Sequence, residues 1–133
     1  MIKLSAYNGE PPGDGKARKI AGGPLDDLAK IEALTMLPDA VKLWTARAGR
    51  DVANLAMDLD DVGDMIRELT ERNYHSSEWC CNGKSYAACD AYTLKRSEYI
   101  EHAGKRFPME YFVKFAESKT GKLVLIVSCH TSN

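Results

Sequence analysis

Four side chains in the C-terminal half carry groups that move protons or hold anions: His75, Tyr92, Lys114 and His130. An imidazole has an ordinary pKa that suits both a base and an acid at neutral pH. A lysine ammonium stabilises a crowded phosphate, and a tyrosine donates a hydrogen bond or stacks on a base. These are the parts that metal-free cleavage of RNA requires. A base takes the proton of the 2′-hydroxyl, a cation steadies the phosphate, and an acid protonates the leaving 5′-oxygen. The 2′-hydroxyl is also what separates RNA from DNA as a substrate. His75 is expected as base or acid and His130 as its complement, provided their strands are neighbours. Ser76, Lys84, Arg96 and Tyr111 are the expected RNA contacts. Blander roles compete with each of these. A strand histidine is commonly structural, tyrosines are ordinary strand formers, and a lysine on an edge strand discourages aggregation. Trp44 and Trp79 read as core or partner-contact residues.

These residues sit on segments that read as two successive β-hairpins. The first runs from Asn73 to Cys81, turns at Asn82-Gly83 and returns from Ser85 to Thr93. Asn-Gly between strand-prone runs is the strongest short-range hairpin signal. The second runs from Met109 to Phe115, turns through Ser118-Lys119-Thr120-Gly121 and returns from Leu123 to His130. A charged stretch at 95–107 joins the two. Upstream, the spacing of Leu28, Ile31 and Leu34 predicts a helix over 25–36, opened near Pro24 and Asp26 and stopped by Pro38. Val41 to Trp44 is a short strand candidate. Thr45 reads as the N-cap of a helix over 46–56, with Val52, Leu55 and Ala56 on its apolar face. Asp58 or Asp60 caps another over 60–72, buried through Val62, Met65, Ile66 and Leu69. Residues 1–24, rich in Gly and Pro with Lys16, Arg18 and Lys19 interspersed, read as a flexible arm ahead of a single domain at 25–133. The fold class is α+β, with helices packed on one face of an antiparallel sheet.

The chain has 133 residues and a net charge of −1, the length of one domain. That charge hides an asymmetry. Residues 1–71 hold 9 Lys/Arg and 13 Asp/Glu, whereas residues 72–133 hold 9 Lys/Arg and 6 Asp/Glu. A basic sheet half suits a polyanion, although a surplus this small also arises by chance. No apolar stretch has the length of a membrane span, and the first residues do not read as a signal peptide. A cytoplasmic setting is expected, with reduced thiols. His75, Cys80, Cys81, Cys89, Cys129 and His130 are zinc-binding residue types, but no Cys-x-x-Cys spacing occurs. No metal ligand and no cofactor is therefore assigned. Cys89, near basic groups, is a candidate reactive thiol without a triad pattern around it.

From Thr45 to His130 the chain resembles the MqsR-type mRNA interferases, toxins of bacterial toxin–antitoxin pairs related to the RelE/ParE-like ribonucleases. Thr45, Ala48, Leu55, Asp58, Asp60, Ile66 and Leu69 keep the register of that family's two helices. Tyr74-His75-Ser76-Ser77, Ala88-Cys89-Asp90-Ala91-Tyr92, Tyr111-Phe112-Val113-Lys114-Phe115 and Leu125-Ile126-Val127-Ser128-Cys129-His130 stand where the family has its sheet motifs. The family's active-site Lys falls on His75 or Ser76, its Gln on Cys89, its Tyr on Phe112 and its last Lys on His130. Asp90, Tyr92 and Lys114 are retained. The resemblance implies a RelE-like fold and a metal-independent endoribonuclease acting on mRNA. It also implies a cognate antitoxin protein as partner, with DNA contact only through the antitoxin complex. A non-catalytic RNA- or protein-binding module and a zinc-stabilised interaction domain are the alternatives.

Overall fold

A computed structural model describes residues 2–12 and 18–131. Its class is α+β: three helices and, among the described residues, one seven-stranded sheet. The helices are α1 (Leu28–Leu34), α2 (Ala46–Asn54) and α3 (Leu59–Arg67). The strands are β1 (Ile2–Lys3), β2 (Lys19–Ile20), β3 (Val41–Leu43), β4 (Tyr74–Cys81), β5 (Ser85–Ile100), β6 (Lys105–Glu117) and β7 (Val124–Thr131). Their spatial order is β2-β4-β5-β6-β7-β3, with β1 beside the start of β5. The sheet is mixed rather than antiparallel throughout, because β1 runs parallel to β5 and β3 parallel to β7.

Each helix starts where a side-chain oxygen caps its free N–H groups. Thr45 accepts from Ala48 N–H, and Asp58 forms a reciprocal box with Asp61. Asp27 caps α1, one residue past the expected opening. The apolar stripes then fall on one side of the sheet. Ile31 and Leu34, Ala48 and Val52, and Val62, Met65, Ile66 and Leu69 pack on Tyr92, Leu94, Tyr111, Val113, Phe115, Val124, Ile126 and Cys129. All three helices lie on this face. The opposite face carries only a small cluster of Cys80, Ala87, Cys89, Ala116 and Val127, with Trp44 against it.

Two segments differ from expectation. Two short pieces of residues 1–24, Ile2–Lys3 and Lys19–Ile20, are strands of the sheet. Lys19 and Ile20 pair with Glu78 and Ser77, and Ser5 is buried with its Oγ accepting from Ala88 N–H at 2.8 Å. Residues 13–17, with Lys16, lie outside the described residues. The charged stretch at 95–107 is no simple connection. There β5 and β6 continue to pair from Lys95↔Glu110 to Ile100↔Lys105, past the last residues of β4 and β7, as a two-stranded ribbon.

The chain ahead of α1 is seated by a buried carboxylate. Asp90, 1% exposed, accepts from Leu25 N–H at 2.9 and 3.0 Å, from Asp26 N–H at 3.0 Å and from the Ser77 hydroxyl at 2.6 Å. With its proton given to Asp90, Ser77 Oγ receives the Tyr74 hydroxyl at 2.6 Å. Gly23 passes so close that a Cβ there would lie 2.1 Å from the Tyr74 oxygen and 2.3 Å from Ser77 Oγ. Asp26 in turn accepts from Glu117 N–H at 2.9 Å.

Asp90→Ala should destabilise the fold by on the order of 3 kcal/mol, because it orphans the buried Ser77 hydroxyl and two half-buried backbone donors. Ser77→Ala, which removes one donor and leaves the carboxylate paired, should cost about 1 kcal/mol in the same denaturant titration. A second consequence concerns pH. Burial raises the Asp26 pKa from 3.8 to about 6; the Glu117 N–H and Lys30 oppose the rise, and the charges of Asp90 and Glu117 add to it. Between those values the folded chain holds a proton that the unfolded chain has released, so this group makes stability rise as pH falls. Asp26→Asn should remove that component. Melting temperatures of both chains, followed from above pH 6 down to about pH 4, check it.

Candidate functional site

The site residues that the structure gathers lie on the face away from the helices. Lys114 pairs across to Ala91 and Phe112 to Thr93 on β5, while on β7 they pair to Ser128 and His130. Regular alternation along β7 would send His130 toward the helices with Ile126. A bulge prevents this. Phe115 faces Ile126 and Lys114 faces Ser128, so Val127 is an extra residue and the parity flips beyond it. A second bulge acts on β4, where the register shifts between Tyr74 and Ser76 and His75 is the extra residue. Two irregularities thus aim two histidines at the same side of the sheet.

The strands carrying them are not neighbours, as the paired-imidazole expectation required. β5 and β6 lie between β4 and β7, which puts the two backbones about 14 Å apart. Phe112 bridges the gap. The His130 ring stacks on it, with centroids 5.2 Å apart and planes 19° apart. The His75 ring meets it edge-on at 5.8 Å, across the small side chains that β5 presents there. Lys114 Nζ is 5.9 Å from the same ring centroid. Phe112 is the platform between the two imidazoles.

Hydrogen bonds fix what each group can do. His130 Nδ1 lies 2.8 Å from the Thr131 carbonyl. A carbonyl only accepts, so Nδ1 carries the proton, and in the neutral ring Nε2 keeps a lone pair. His75 Nδ1 meets Ser76 Oγ at 2.8 Å, a partner that serves either tautomer. Lys114 is ion-paired with Glu78. Burial works against its charge, but the Glu78 hydrogen bond and the charges of Cys80 and Glu78 outweigh it and raise its pKa. Lys114 is therefore a fixed cation rather than a base. Beside it a cleft of about 290 Å³ opens, lined by Arg18, Arg47, Glu78, Cys80 and Ser128 among others.

Four sequence candidates fall elsewhere. Tyr92 is 1% exposed on the helix side, stacked on Phe115 at 5.4 Å. Burial, with the charge of Asp90 behind it, pushes its phenol far up; the ring lies in the helix-side core, away from the histidines. Tyr111 is buried on that side too, with Arg96 over its ring at 5.9 Å. Arg96 is held by Glu68 at the end of α3. Lys84 sits in the Asn82-Gly83 turn, roughly 23 Å along β4 from His75. Of the expected RNA contacts, only Ser76 lies with the histidines. Arg18, Arg47, Glu78 and Phe112, none of them among the sequence candidates, also stand on this side. Glu78 shares the alternation of Ser76 and Cys80, a signal that was present. Arg18 had none, since nothing local marks its segment as sheet.

The cysteines are dispersed. Cys80 and Cys89 lie on the open face and Cys129 in the helix-side core. Among the described residues no group of three His, Cys, Asp or Glu side chains is arranged to hold a metal ion, and no helix is long and apolar enough to cross a membrane. No family model, curated protein or solved structure matches this chain.

The Lys114–Glu78 pair is open to direct measurement. A double-mutant cycle of Lys114→Met and Glu78→Gln, read by denaturant unfolding, should give a coupling energy of about 1–2 kcal/mol.

Proposed function

We propose that this chain is a metal-independent endoribonuclease of the MqsR/RelE-like toxin type, acting on mRNA in the cytoplasm. The observation that carries the reading is the single open-face group of His130, Phe112, His75 and Lys114. It supplies a base, an acid and a cation around one aromatic ring. In this reading His130 Nε2 takes the proton from the 2′-hydroxyl, because its Nδ1 is committed to the Thr131 carbonyl. The freed oxygen attacks the neighbouring phosphorus. Lys114, with Arg18 and Arg47 on the cleft rim, offsets the charge that builds on the phosphate oxygens. His75, protonated, gives its proton to the departing 5′-oxygen. The products are a 2′,3′-cyclic phosphate and a free 5′-hydroxyl. The open face is basic at the cleft rim, and that favours a polyanion. The RelE-like fold name, the cognate antitoxin and the contact with DNA through that complex enter through the sequence resemblance.

Purified protein incubated with a long mRNA in excess EDTA should give fragments ending in 2′,3′-cyclic phosphate. His75→Ala and His130→Ala should each lower the rate on the order of 10²–10⁴-fold. Tyr92→Phe, a change on the far side of the sheet, should leave the rate within about twofold. Intact RNA from protein shown to be folded would overturn the catalytic reading and favour a binding module on the same sheet.

A further inference from the structure

Two cysteines on the open face form a pair that the proposed reaction does not use. Glu78 lies opposite Cys89 and Cys80 opposite Ala87, so Cys80 and Cys89 are diagonal neighbours on adjacent strands and share one face. The Cys89 thiol donates to the Ala87 carbonyl, 3.5 Å away. The two are unequally placed. Cys80, 8% exposed, lines the 290 Å³ cleft together with Lys114. Cys89 is fully buried, among Ala87, Ala116 and Val127.

That asymmetry sorts the roles. The neighbouring Cys89 thiol lowers the Cys80 pKa; burial and Glu78 oppose this, and Lys114 adds to it. Burial and the same thiol contact push Cys89 well above its ordinary value. The more readily ionised sulfur is thus the one that solvent reaches, and the protonated one lies directly behind it. Thiolate character with access is what makes a cysteine react with peroxides.

We propose that Cys80 and Cys89 form a peroxide-responsive dithiol, with Cys80 as the attacking and Cys89 as the resolving sulfur. The Cys80 thiolate attacks one oxygen of a hydroperoxide. An S–O bond forms, the O–O bond breaks, and the departing hydroxide or alkoxide takes a proton from water in the cleft. Cys80 is then a sulfenic acid. Cys89 sulfur attacks Cys80 sulfur, an S–S bond forms and the S–O bond breaks. The sulfenic hydroxyl leaves with the Cys89 proton as water. The peroxide is reduced by two electrons and the two sulfurs are oxidised by one each. Diagonal neighbours in a regular sheet are about 7–8 Å apart at Cα, beyond the usual span of a disulfide. The bond therefore draws β4 and β5 together locally and is easily reduced again. The proposal does not rest on the ribonuclease reading, because its readout is covalent.

The test uses the full reduced chain and hydrogen peroxide. After exposure, remaining thiols are alkylated under denaturing conditions, the protein is digested without reductant, and peptides are weighed. The expected result is a peptide pair linked through Cys80 and Cys89, released by dithiothreitol, with Cys81 and Cys129 alkylated. In the Cys89→Ser chain the reaction should stop at a sulfenic acid on Cys80 that dimedone captures. In the Cys80→Ser chain Cys89 should be recovered alkylated. Circular dichroism establishes that each variant is folded. Recovery of both Cys80 and Cys89 as alkylated thiols from the folded wild-type chain would overturn the proposal. So would dimedone capture at Cys89 or Cys81 in place of Cys80.

Discussion

The Asp90 carboxylate holds together parts of the chain that local propensity cannot join. Its acceptors take the N–H groups of Leu25 and Asp26 and the hydroxyl of Ser77, so one buried charge binds the strand that carries it, the strand beside it and the chain that leads into α1. A buried carboxylate is tolerated only when its lone pairs are filled, and here the filling groups are mainly backbone. Asp26 passes the constraint on by taking the Glu117 N–H at the end of β6. The N-terminal segment is thereby fixed to the sheet by polar contacts where its Gly- and Pro-rich composition offers few apolar ones.

Once the helices are seated on one face, the other is left for chemistry, and strand parity decides what appears there. The two bulges are the devices that break parity. Without the extra Val127, His130 would point into the helix-side core in place of Cys129; without the bulge at His75, no imidazole on β4 would reach Phe112. The small residues along β5 on that face, Ala87, Cys89 and Ala91, leave a trough over which long side chains from β4 and β6 meet, as Glu78 and Lys114 do. Face, bulge and small floor together place a cation and two imidazoles side by side, although the strands that carry the histidines are separated by two others.

The helices and both hairpin turns were legible because their signals are local. Capping oxygens at Thr45 and Asp58, a period of 3.6 in α3 and an Asn-Gly turn each act within a few residues. The rest depends on partners far along the chain. Strands of two residues, such as β1 and β2, have no period to read. A bulge inserts one ordinary residue and leaves no mark in composition. Tyr92 and Lys114 were grouped for the same reaction, yet the register Ala91↔Lys114 sets them on opposite faces. Alternation within a strand is visible in a sequence; its phase relative to the next strand is fixed by pairing. Phe112 was read as a lost hydroxyl because its role as a platform exists only once His75 and His130 have been brought to it.

The two-stranded ribbon that β5 and β6 extend beyond the sheet has a cost of its own. From Lys95 to Glu110 neither strand has an outer neighbour among the described residues, and a bare strand rim is the kind of backbone that recruits another chain. The residues placed there answer that hazard: Lys95, Arg96, Glu98, Lys105, Arg106 and Glu110 line the ribbon with charges of both signs, and Pro108 removes a donor from β6. The charges that first read as a linker, and as a source of phosphate contacts, thus have solubility to account for them. They keep a bare strip of β-structure from growing by addition of its own copies.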